Sequence, residues 1–118
     1  MGIPSGGGTE VLKQAYIQGL SNTKQKIIDG GDADYIYTVL NIIFTETAGN
    51  AEELHITIYP SANSGNETAV LTQASLPAYG TYIWNEKLVL TGTDELLVET
   101  GGVANVDVVC NYILQDFS

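Results

Sequence analysis

Apolar and polar residues alternate with a period of two over much of the chain, most plainly in residues 75–118. From Asn105 to Leu114, Val106, Val108, Cys110, Tyr112 and Leu114 fall on one face, and Asp107, Val109, Asn111 and Ile113 on the other. Three shorter runs precede it: residues 81–84 (TYIW), residues 87–90 (KLVL) leading into Thr91-Gly92-Thr93-Asp94, and residues 95–99 (ELLVE) stopped by Gly101-Gly102. Alternating runs bounded by Gly, Asn and Asp predict half-buried antiparallel strands.

The same reading extends upstream. Residues 9–18 (TEVLKQAYIQ) suit a short helix by propensity. They suit a strand equally by alternation, with Val11, Lys13, Ala15 and Ile17 set against Leu12, Gln14, Tyr16 and Gln18. The strand reading is preferred because everything downstream needs strand partners. Residues 24–28 (KQKII) form a second run, and residues 29–34 a Gly- and Asp-rich loop. Residues 35–46 (YIYTVLNIIFTE) are the most hydrophobic stretch and predict a long central strand. Leu54, Ile56 and Ile58 alternate with His55, Thr57 and Tyr59 until Pro60 ends the strand. A polar loop, residues 61–67, then leads to residues 68–73 (TAVLTQ).

These runs predict an all-β fold: a single antiparallel β-sandwich, jelly-roll-like or Ig-like, of about eight strands over residues 9–118. Ile43, Ile56, Ile58, Leu88, Leu90, Val106, Val108 and Cys110 are its expected core. Residues 1–8 (MGIPSGGG) are too rich in Gly and Pro for regular structure. They read either as a frayed end or as an arm that docks on a neighbouring subunit through Ile3 and Pro4.

Size and composition fit one globular domain: 118 residues, 44% hydrophobic and 15% charged. Charge narrows the partners. The chain has a net charge of −10, with four Lys and no Arg, so a duplex backbone or an anionic membrane surface would repel it. No nucleic-acid and no membrane partner is expected. Residues 1–8 lack the charged head and apolar run of a signal peptide, and no apolar stretch approaches the roughly 20 residues of a bilayer span. Maturation in a cytoplasm is expected.

Candidate chemistry is sparse. Cys110 stands alone in the apolar phase of its strand, which excludes an internal disulfide and favours a core role. His55 has no second His or Cys with which to share a metal. No Gly-x-Ser-x-Gly elbow and no Gly-x-x-x-x-Gly-Lys loop occurs. The Asp29, Asp32 and Asp34 loop offers oxygen ligands for calcium but lacks the downstream Glu of an EF-hand, which favours a solvated turn. Asn66-Glu67-Thr68 matches a glycosylation triplet, with no secretory signal to give it meaning. No enzyme, cofactor or metal is therefore expected. Tyr79, Tyr82 and Trp84 cluster in sequence; they read as core or subunit interface, or else as a platform for a sugar.

One resemblance adds to this. The succession Ser75-Leu76-Pro77-Ala78, Tyr82-Ile83-Trp84, Lys87-Leu88-Val89-Leu90, Thr91-Gly92-Thr93-Asp94, Leu96-Leu97-Val98 and Asn105-Val106-Asp107-Val108 through Tyr112-Ile113 resembles small β-sandwich structural proteins of tailed bacteriophages. The resemblance covers about the last 45 residues and defines no functional residue. It implies a virion component assembled in the host cytoplasm, foremost a head decoration or cement protein. Its partners would be the major capsid protein or other virion proteins, and it would form a homo-oligomer, with a trimer favoured. Ile3, Pro4, Tyr79, Tyr82 and Trp84 are the expected interface residues. A neck, tail or fibre component, or a receptor- or carbohydrate-binding module, are the alternatives.

Overall fold

A computed structural model describes residues 9–30, 32–60 and 66–117; the expected arm, with Ile3 and Pro4, lies outside them. The described residues form nine strands: β1 (Thr9–Leu20), β2 (Gln25–Asp29), β3 (Tyr35–Glu46), β4 (Glu52–Tyr59), β5 (Thr68–Leu76), β6 (Thr81–Trp84), β7 (Leu88–Thr91), β8 (Glu95–Thr100) and β9 (Val106–Asp116). They make two antiparallel sheets. Sheet A runs β1-β9-β3, with β6 and β7 pairing successive halves of β3, and sheet B runs β2-β8-β4-β5. Most connections cross from one sheet to the other, as in a jelly roll, and only β4–β5 and β6–β7 stay within a sheet. No helix among the described residues is long and apolar enough to cross a membrane.

Alternation places the core between the sheets. Sheet B contributes Leu54, Ile56, Leu76, Leu96 and Val98, and sheet A contributes Val39, Ile42, Phe44, Leu90, Val106, Val108 and Cys110. Tyr37 packs between Tyr35 and Tyr112 at one end, with ring centroids 6.2 and 5.9 Å away. Residues 9–18 are strand, because β9 offers a long partner and tertiary pairing overrides the helical propensity of Leu, Lys, Gln and Ala.

A β-bulge in β3 decides which residues face inward. Its register against β9 shifts between Val39 and Asn41. Simple alternation from Tyr37 and Val39 would carry Asn41 and Ile43 into the core. The extra residue reverses the phase, so Ile42, Phe44 and Glu46 point in instead. The expected core is corrected accordingly: Ile43 faces outward and is half-buried, and Ile58 and Leu88 pack against the core from its margin. Ile56, Leu90, Val106, Val108 and Cys110 are buried.

The inward turn of Glu46 would bury a bare carboxylate, yet this one is saturated. It accepts the backbone N–H of Ala48 at 2.8 Å, Gly49 at 2.7 Å, Asn50 at 3.0 Å and Tyr79 at 2.9 Å. Burial opposes its ionisation, but the four N–H donors outweigh that and hold the carboxyl below its ordinary range.

Candidate interaction surface

The two outer faces of the sandwich differ in kind. On sheet B, Lys26, Glu53, His55, Glu95 and Glu99 occupy outward positions, and Lys26 Nζ lies 2.9 Å from Glu95 Oε2. Lys24 pairs with Glu67 at the same side. This is a solvated, ion-paired face.

Sheet A presents no charge across most of its width. The register aligns Leu12, Ile113, Thr38 and Val89 in one row across β1, β9, β3 and β7. Tyr16, Val109, Ile43 and Ile83 form another across β1, β9, β3 and β6. Leu12 is 71% exposed, Tyr16 65%, Ile83 58% and Val89 60%. Between the rows lies a chain of amides: Gln14 Nε2 donates to Asn111 Oδ1 at 2.8 Å, and Asn111 Nδ2 donates to Asn41 Oδ1 at 2.7 Å. Tyr16 Oη closes the chain by donating to Gln14 Oε1 at 2.5 Å. Beside the bulge of β3 lies a groove of about 380 Å³ lined by Leu12, Lys13, Gln14, Leu40, Asn41 and Asn111. In the outward phase of the described strands β1, β9 and β3, charges stand at the ends, at Glu10 beside Gln115 and at Asp107 beside Thr45, and the inward-phase Lys13 reaches the groove between the rows.

The aromatic trio is split up. Strand β6 turns Tyr82 and Trp84 inward and Ile83 outward. Trp84, opposite Ile42, is 7% exposed and belongs to the core, and the Tyr82 ring packs 6.4 Å from Phe44. Tyr79 alone is at the surface, 73% exposed at a positive φ of 54°, with its ring over Gly49. The three residues do not share a surface. The residues that do share one, Leu12, Tyr16, Ile83 and Val89, were legible only in part: the alternation of β1 sets Leu12 and Tyr16 on one face, but the alignment of that face with Ile83 and Val89 comes from strand order.

The sites weighed for chemistry are occupied by structural bonds. His55 Nδ1 accepts the N–H of Gln73 at 3.4 Å. The acidic loop is clasped to the next turn, with Asp32 N–H donating to the Gly92 carbonyl at 3.3 Å and Asp32 Oδ1 accepting from Asp34 N–H at 2.9 Å. No group of three or more His, Cys, Asp and Glu placed to hold a metal occurs among the described residues. Burial pushes the Cys110 thiol up to about 12, so it stays protonated and unreactive.

No protein-family model and no curated protein sequence matches the chain. Solved structures do match its fold. A subunit of Bacillus endospore appendages, described as disulfide-linked pili, is 18% identical with a TM-score of 0.59, covering 96% of this chain and 93% of that one. A chain of the infectious bursal disease virus Gx strain is 12% identical with a TM-score of 0.60; the match covers 92% of this chain and 32% of the viral one. A Clostridium thermocellum xylanase chain carrying a carbohydrate-binding and a catalytic module, solved with xylohexaose, is 12% identical with a TM-score of 0.52, covering 88% of this chain and 24% of that chain. At these identities the likeness establishes one thing: the chain has the β-sandwich fold found in viral shell, pilus and carbohydrate-binding proteins.

Proposed function

We propose that this protein is a non-catalytic structural subunit that works through its surfaces, and that its place is the virion of a tailed bacteriophage, foremost as a head decoration or cement protein bound to the shell. The observation that carries the reading is the uncharged outer face of sheet A in a chain of net charge −10. Exposed apolar area gathered on one face marks a protein–protein contact. Charge depletion at the centre with polar groups at the rim is the composition of an interface. The resemblance of the last third to phage structural proteins supports the virion, and the fold shared with a viral shell protein is in keeping with it. Quantifying the protein by mass spectrometry in purified particles tests this. A copy number comparable to the shell protein is expected, a handful per particle would move it to neck, tail or fibre, and absence would overturn the reading.

The near-complete mutual coverage with the endospore appendage subunit favours one second reading, a filament subunit. The disulfide linkage in that protein's description does not transfer, since Cys110 is 0% exposed in the core.

A further inference from the structure

Among the described residues, one sheet edge is both long and regular. Strand β1 spans 12 residues and lies at the end of sheet A, with Thr9 to Ile17 in unbroken register on β9. The other edges are short or interrupted: β2 has 5 residues and a bulge, β6 and β7 have 4 each, and β5 changes register twice against β4. A long edge exposes a row of backbone N–H and C=O groups that another strand can pair with.

Two properties of β1 select a second copy of this chain as that strand. First, its charges are one Glu10 and one Lys13, so the strand is neutral within a chain of net charge −10 and a second copy meets no net like charge along it. Second, half of it overhangs. Val11, in the inward phase, is 43% exposed and Lys13 is exposed too, whereas Ile17 and Leu20, further along the same face, are buried.

We infer that β1 pairs antiparallel with β1 of a second copy about a two-fold axis through Gln14. Such an axis keeps both outer faces on the same side, so residues of equal phase meet. Gln14 faces the second copy's Gln14, Leu12 faces its Tyr16, Val11 its Ile17 and Lys13 its Ala15. Each overhanging half then lies beside the covered half of the other copy, and Val11 extends the core past Ile17. The Leu12 row of one copy runs into the Tyr16 row of the other, joining the two uncharged faces into one band. Sliding by one pair in one direction sets Lys13 on Lys13; in the other it sets Leu12 on Gln18 and Lys13 on Ile17. Charge and apolar matching therefore select the register. The unit is a dimer, where the phage resemblance implied a trimer.

The pairing deepens the reading of an assembly subunit, but it is tested on the purified protein, whereas that reading is tested in particles, so each can fail alone. Opposed residues of an antiparallel pair lie about 4.5–5.5 Å apart at Cα, within the roughly 4.4–6.8 Å a disulfide spans. Under mild oxidation Gln14→Cys is expected to give covalent dimers at least tenfold more than Gln18→Cys, which faces Glu10 across the seam. Native Cys110 is buried and does not compete. Leu12→Lys is expected to lower the dimer fraction in sedimentation at least tenfold, and mixing it with Tyr16→Glu chains is expected to restore dimers. A wild-type monomer or trimer in sedimentation, or cross-linking of Gln14→Cys no greater than the Gln18→Cys control, would overturn the pairing.

Discussion

Glu46 at the end of β3 accepts the backbone N–H of Tyr79 at 2.9 Å, joining two turns that are 33 residues apart in the chain. With Ala48, Gly49 and Asn50 on the same carboxylate, this one side chain fixes the β3–β4 turn against the β5–β6 turn. Because the folded carboxyl is held below its ordinary value of 4.5, its contribution to stability is complete above that value. It is lost as pH falls through the lower, folded value. Chemical denaturation from pH 7 to pH 2 should show the wild type losing stability on the acid side more steeply than Glu46→Gln, with Glu46→Gln less stable at pH 7. Parallel curves would contradict this role.

The bulge in β3 makes neighbouring isoleucines unequal. Ile42→Ala removes a 0%-exposed side chain and should cost about 2–5 kcal/mol in urea unfolding, as should Ile56→Ala. Ile43→Ala, on the outer face, should cost about 1 kcal/mol or less. The reverse order would place the bulge elsewhere.

Gly92 should tolerate no side chain. A Cβ there would stand 1.7 Å from the Asp32 carbonyl oxygen, a backbone atom held by the clasp between the acidic loop and the Thr91–Asp94 turn. Gly92→Ala should destabilise the fold by about 1–3 kcal/mol, seen as a lower denaturation midpoint. An unchanged midpoint would show the clasp to be dispensable.

The Cys110 thiol should resist a maleimide or aromatic disulfide reagent at pH 8 in the native protein and react fully in denaturant. Desolvation in the core lifts its ionisation to about 12, which removes the thiolate that attacks. Rapid native labelling would contradict its placement.

The fold was largely legible because period-2 alternation is a local property. Residues 35–46 and the last strand could be bounded from their own side chains, and Leu54 and Ile56 could be assigned to the core, with Ile58 in the same phase at its margin. The bulge was not legible. Leu40, Asn41, Ile42 and Ile43 contain no Gly or Pro to mark it, and its effect, Ile43 out and Glu46 in, depends on pairing with β9. The surface was harder still. Tyr79, Tyr82 and Trp84 drew attention as neighbouring aromatics, but the two-residue period of β6 already sets Ile83 opposite Tyr82 and Trp84. That Ile83 shares a row with Tyr16, far away in sequence, follows only from the strand order β1-β9-β3-β6.

The most direct test of the uncharged face as the working surface is a count of particle-bound copies for three chains: wild type, Ile83→Lys and Thr57→Lys. Ile83 is 58% exposed at the β6 end of one apolar row, and Thr57 holds an outward position on sheet B, so neither change should shift the thermal midpoint much. The account predicts that Ile83→Lys falls at least tenfold in copies per particle while Thr57→Lys matches the wild type. Equal incorporation of all three chains, or loss only with Thr57→Lys, would contradict it.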